Sequence, residues 1–293
     1  MTLFTGVGAA MVTPFGKDGS IDYAVLDEYI EHLIAGGVSA LIPFGTTGEP
    51  ATATAAEYEQ GISFVIAHAK KRVPVIVGAG SNSTAAAYDH ACTAKRLGAD
   101  GALVVTPYYN KCTQRGIVEH YKAVAKAGIP IIAYNVPSRT GVNILPATVK
   151  ELAAIDGVVG IKEACGNIEQ FQNTAAVCAQ TGLSMYSGDD GITATAMLMG
   201  CKGVISVAAN PAPKLMSELC ALCLKNEFAK AQALQFKLNE FIAALFCEVN
   251  PIPVKKAMQL IGFEVGAPRL PLTELEPQHV ELLKSTMQRL ELI

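Results

Sequence analysis

Val158-Val159-Gly160-Ile161 is a short apolar run, and Lys162 follows it directly. A run of this length and composition reads as a buried strand. Seven further runs read the same way: Gly8–Val12, Ala40–Phe44, Val75–Val77, Ala102–Thr106, Ile131–Tyr134, Ser184–Tyr186 and Val204–Val207. Amphipathic stretches lie between them. Leu26, Ile30, Leu33 and Ile34 mark one helical face, and Ile62, Val65, Ile66 and Ala69 mark another. Strands alternating with helices predict a parallel sheet, because each parallel crossover needs a helix. Eight such units predict an α/β fold, a closed (β/α)8 TIM barrel. A doubly wound sheet is the alternative, and the loops speak against it. The turn after Val12 is Thr13-Pro14-Phe15, and Gly78-Ala79-Gly80-Ser81-Asn82 lacks the third glycine of a dinucleotide fingerprint.

From about Asn226 the pattern becomes helical only. Ala229–Leu245, Pro253–Ile261 and Glu276–Leu292 read as helices, with Asn250-Pro251-Ile252-Pro253 as a break between the first two. The expected organisation is a catalytic barrel over 1–225 and a small C-terminal all-helical region over 226–293.

Of 293 residues, 51% are apolar, enough for a large core; the formal net charge is −3, and no basic stripe suggests nucleic acid. No apolar stretch approaches the ~20 residues that span a bilayer. Met1 to Thr5 do not open a leader pattern, so a cytoplasmic protein is expected. Eight scattered cysteines read as reduced thiols, and Cys220-Ala221-Leu222-Cys223 is a lone pair without the second pair that zinc needs. The five histidines all fall in predicted helices, which argues against a metal cluster.

In barrels of this kind the chemistry gathers at the C-terminal ends of the strands. The polar residues fall there repeatedly: Gly45-Thr46-Thr47-Gly48-Glu49, Tyr108-Tyr109, Tyr134, Arg139, Lys162 and Gly188-Asp189-Asp190. Any one has a bland explanation, a solvated lysine, a turn or a loop salt bridge. Asp189 and Asp190 read best as a helix N-cap pair. Their convergence on one barrel end is what points to a site. Burial lowers the pKa of a lysine, and the neutral amine can attack a ketone to form a Schiff base. Thr46 and Thr47 offer hydroxyls and backbone N–H groups to a carboxylate. Tyr134 can relay protons, and Arg139 can hold a second carboxylate in bidentate fashion. The set suits a small keto acid and calls for no metal or nicotinamide.

These residues resemble the dihydrodipicolinate synthase family, pyruvate-dependent lyases related to N-acetylneuraminate lyase. The resemblance covers nearly the whole chain in order: GTTGE at Gly45–Glu49, TPYYN at Thr106–Asn110, YNVPSRTG at Tyr134–Gly141, GIKEA at Gly160–Ala164, SGDD at Ser187–Asp190, GVISV at Gly203–Val207 and NPIPVK at Asn250–Lys255. It implies a Schiff base between Lys162 and pyruvate, with no cofactor beyond that covalent link. It implies a proton relay of Tyr134, Thr46 and Tyr109, the last from a neighbouring subunit. Thr47 would bind the pyruvate carboxylate, with Ile205 and Gly188 lining that pocket, and Arg139 would receive the carboxylate of L-aspartate-4-semialdehyde. A homotetramer serving lysine and diaminopimelate synthesis is implied. The alternative is another pyruvate aldolase with a sugar-derived acceptor, for which Arg139 has no purpose. A non-catalytic binding homologue and a phosphate-binding isomerase are more distant readings. The family's lysine-inhibition site aligns with Pro50, Ala55, Tyr58 and Ala86, so its acidic and imidazole partners are absent although Asn82 and Tyr108 match. A buried cationic ligand needs such partners, so weak or absent lysine inhibition is expected.

Overall fold

The computed structural model describes all 293 residues. Eight strands form one parallel sheet: β1 Gly6–Ala10, β2 Ala40–Ile42, β3 Ile76–Gly78, β4 Gly101–Val105, β5 Ile131–Asn135, β6 Val158–Glu163, β7 Ser184–Ser187 and β8 Gly203–Ser206. Their order is β2-β1-β8-β7-β6-β5-β4-β3. The two outer strands meet through the Leu41–Val75 bridge and the Gly78 N–H to Pro43 carbonyl bond of 2.9 Å, which closes the barrel. The chain is therefore a TIM barrel.

Alternation along the strands sorts side chains into two layers. Inside the barrel, Ile42, Ile76, Leu103, Ile132, Tyr134, Tyr186 and Ile205 pack together. Phe4, just before β1, plugs the bottom by stacking on Tyr186 at 4.3 Å between ring centroids. The outward residues join the helices in one continuous apolar layer, which also takes in Leu238, Phe241, Val254 and Leu283 of the C-terminal helices. Those helices span Phe228–Ala244, Ile252–Leu260 and Pro277–Arg289, and Asn250-Pro251 lies in the break between the first two. No helix is long and apolar enough to cross a membrane.

The strand ends differ from the sequence expectation in one consequential place. Lys162 lies inside β6, not after it, because hydrogen bonding to β5 continues through Glu163 after the apolar run has stopped. A bulge precedes it: Ile131 pairs with Val158 but Ile132 pairs with Gly160, so Val159 is skipped. The skipped residue resets the alternation and turns Gly160 and Lys162 inward, level with Ile132 and Tyr134.

Candidate active site

Lys162 is buried at the upper end of the barrel interior. Its Nζ lies 4.3 Å from the centroid of the Tyr134 ring on the neighbouring strand. Burial disfavours the ammonium and Arg139 adds to the effect, while Asp190 opposes it; the amine is brought down to about 8. Burial pushes the Tyr134 phenol up to about 12, with Arg139 opposing and Glu163 adding. At neutral pH about a tenth of the amine is neutral while the phenol keeps its proton. That is a nucleophile beside a proton donor.

The turn after β2 is a 3-10 turn over Thr46–Gly48, closed by the Gly48 N–H to Gly45 carbonyl bond of 2.8 Å. The turn lies hard against β3, where a Cβ on Gly78 would sit 2.0 Å from the Phe44 carbonyl oxygen, so only glycine admits this approach. Thr47 is buried, and its Oγ1 accepts from Asn250 Nδ2 at 2.9 Å. Arg139 stands on the short helix Pro137–Thr140 and donates from Nη2 to the Asn250 carbonyl at 3.0 Å. Asn250 thus joins Thr47 to Arg139.

Thr46, Tyr134, Val136, Arg139 and Asn250 line one cavity of about 650 Å³ that opens at this barrel end. Lys162 lies behind that wall, next to Tyr134. Gly188 explains itself sterically: a Cβ there would come within 2.9 Å of Lys162 Cε and 2.8 Å of Ala164 Cβ. Ile205 is buried in the barrel interior with Tyr134 and Tyr186. The structure therefore brings together Lys162, Tyr134, Thr46, Thr47, Arg139, Gly188 and Ile205. No hydrogen bond joins Thr46 to the Tyr134 hydroxyl; the one side-chain hydroxyl bond at Tyr134 is that of Tyr121 Oη accepting from its backbone N–H at 3.3 Å. Tyr109 is not among them: it is 90% exposed, at φ +70°, while Tyr108 lines the cavity.

A model of the dihydrodipicolinate synthetase family matches residues 3–290. The chain belongs to this family. It is 47% identical over 288 residues to the 4-hydroxy-tetrahydrodipicolinate synthase of Caldicellulosiruptor bescii, covering 98% of this chain and 97% of the relative. The crystal structure of dihydrodipicolinate synthase from Thermotoga maritima superposes with a TM-score of 0.98 at 42% identity over the full length of both chains. The chloride-inhibited dihydrodipicolinate synthase of Acinetobacter baumannii, solved with pyruvate, gives 0.96 at 43% identity, again over both full lengths.

Within this family frame, three structural details depart from the sequence reading. Asp189 and Asp190 are not a cap pair. Asp189 alone caps, accepting from the Gly191 N–H at 2.9 Å. Asp190 is buried and turns Oδ2 onto the backbone N–H groups of Val207 and Ala208, each at 2.9 Å, tying the loop after β7 to the loop after β8. Asn250 read only as a break, because Asn-Pro is a turn signal whatever else its amide does. Glu163 and Asn135 carry no mark of their own in the sequence, since each merely follows a more conspicuous neighbour.

Proposed function

We propose that the chain is a 4-hydroxy-tetrahydrodipicolinate synthase that condenses pyruvate with L-aspartate-4-semialdehyde, in the route to diaminopimelate and lysine. The observation that carries the reading is the buried Lys162 amine, lowered by burial to about 8, against the Tyr134 ring. The neutral amine attacks the pyruvate carbonyl carbon, and Tyr134, with Thr46 and Tyr109, passes protons to the carbinolamine oxygen until it leaves as water. The iminium then loses a proton from the pyruvate methyl group. The resulting enamine carbon bonds to the aldehyde carbon, whose oxygen takes a proton. The amino group of the acceptor closes on the iminium carbon, and the Lys162 amine departs. No step as written needs a metal or a nicotinamide.

Thr47 holds the pyruvate carboxylate, with Gly188 and Ile205 lining that pocket. Arg139 receives the acceptor's carboxylate through its guanidinium fork. Tyr109 acts in the site of a neighbouring copy: its side chain stands 90% exposed on a loop whose own cavity it does not line, which suits a residue handed to a partner. A homotetramer built from such pairs, in the cytoplasm, is the assembly we assign. Lysine inhibits weakly or not at all. Ala55 supplies no polar group, the Tyr58 hydroxyl is already bonded to the Gly78 carbonyl at 2.9 Å, and Glu59 on that wall is paired with Arg96 at 2.8 Å.

The test is pyruvate consumption by the purified protein with L-aspartate-4-semialdehyde, against N-acetylmannosamine and glyceraldehyde. Turnover with the semialdehyde alone is expected. Turnover only with a sugar-derived acceptor would overturn the assignment while sparing Lys162 and Tyr134.

A further inference from the structure

The rung above the Lys162–Tyr134 pair is formed by Glu163 and Asn135, paired across the same two strands but facing outward. Glu163 is fully buried. Its Oε1 accepts from Asn135 Nδ2 at 2.9 Å, and its Oε2 has no partner. The Asn135 amide is fixed in orientation, because the Ile144 N–H donates to its Oδ1 at 2.9 Å. Its second amide proton goes to Asn143 Oδ1 at 2.9 Å, and Asn143 in turn donates to Gln170 Oε1 at 2.6 Å. Asn135 therefore fastens both ends of the segment that carries Arg139, from β5 to Ile144, onto the strand that carries Lys162.

We propose that Glu163 is a positioning residue: through Asn135 it holds Lys162, Tyr134 and Arg139 in one register, and it does so as a hydrogen-bond acceptor, not as a counter-charge. The inference rests on the proposed function for the roles of those three side chains. The groups around the carboxyl are Asn135 from β5, the Cys165 thiol just after β6, the Cys178 thiol of the helix Ile168–Thr181 and the Cys201 thiol before β8, while the Tyr134 phenol on the inward side of β5 is near enough to feel its charge. None is a cation. A buried carboxylate without a cationic partner is costly, so the neutral acid is favoured. Burial accordingly pushes Glu163 up to about 7. Above that pH its charge falls on Tyr134, where it tightens the hold on the phenolic proton.

The experiment compares wild type, Glu163→Gln and Glu163→Ala between pH 6 and 8.5. Two rates are read by mass spectrometry: borohydride trapping of pyruvate on Lys162, and acetylation of Lys162 by acetic anhydride without substrate. Glutamine keeps the Oε1 acceptor, so at pH 6 its trapping rate should lie within about threefold of wild type. Alanine should lose about 10–100-fold, the scale of a sub-ångström to ångström misplacement. The wild-type to glutamine ratio should fall as pH rises through 7. A glutamine variant as slow as alanine, or a ratio constant across the range, would overturn the proposal. If the alanine variant failed to fold, the glutamine ratio would still decide. If wild type failed to trap pyruvate, the proposed function would fall, and Lys162 acetylation, unchanged in glutamine and altered in alanine, would decide the positioning role by itself.

Discussion

Lys162 and Tyr134 stand on directly paired positions of β6 and β5, with the amine 4.3 Å from the centre of the phenol ring. The contact faces the amine toward a ring that welcomes the ammonium, yet burial outweighs that attraction and brings the lysine down to about 8. The sign for catalysis follows. The neutral amine is the nucleophile, so the rate of pyruvate trapping should rise with pH through about 8 and then level. Lys162→Ala should give no adduct at any pH. A trapping rate that falls across that interval would show that the amine is not the group being titrated.

Tyr134→Phe should leave the unfolding midpoint close to that of wild type and lower turnover by ~100-fold or more, the usual contribution of a placed acid–base group. The bound hydroxyl that remains nearby, Tyr121, is held by the Val104 carbonyl at 2.7 Å and is poorly placed to substitute. Steady-state turnover together with circular dichroism checks both halves of the expectation.

Gly188→Ala isolates sterics from chemistry. The added methyl would press on Lys162 Cε and Ala164 Cβ, and it would also come within 3.2 Å of the Glu163 carbonyl oxygen. Lys162 is the flexible member of the three, so it is the one displaced. A loss of trapping rate of about 100-fold, with a stability change of about 1–3 kcal/mol, is expected. Equal trapping with a large loss of stability would mean that the backbone moved instead.

Much of this is legible in the sequence. The eight strands declare themselves because each is a short apolar run between polar turns, and Lys162, Tyr134, Thr46 and Arg139 stand out because they interrupt that pattern at one end. Other features left no such mark. The bulge at Val159 is an apolar residue among apolar residues, so nothing in the pattern announces the change of register that aims Lys162 inward. Asp190 looks like a cap because carboxylates before helices commonly are; its burial against β8 is a tertiary fact. Nothing local in the sequence marks Tyr109 as exposed and outside the cavity that Tyr108 lines.

Tyr109 therefore calls for a test of shared sites. A mixture of Tyr109→Phe and Lys162→Ala subunits, unfolded and refolded together, should recover activity well above either variant alone. In the proposed arrangement the active centre of a mixed pair would take Lys162 from one copy and Tyr109 from the other. Recovery absent in mixtures that size-exclusion chromatography shows to be mixed would place Tyr109 in its own subunit's site or in none.

The Thr46–Thr47 turn is supported from behind by a buried ion pair. Glu49, which closes that turn in a left-handed conformation at φ +55°, is paired with Lys255 at 2.9 Å, with both side chains essentially buried. Lys255 also donates to the Ala267 carbonyl at 3.2 Å and lies over the Phe15 ring, and the second Glu49 oxygen accepts from the Arg269 N–H at 2.9 Å. Removing one member leaves the other charge buried and unpaired, which costs about 3–5 kcal/mol, whereas replacing both by neutral groups costs much less. Lys255→Met should thus be strongly destabilised in urea, and Lys255→Met with Glu49→Gln should recover a good part of the loss. The strained turn depends on Glu49 for its anchoring, so trapping of pyruvate should weaken in the single variant and partly return in the double. Recovered stability without recovered trapping would separate the ion pair's contribution to folding from any part in placing Thr46 and Thr47.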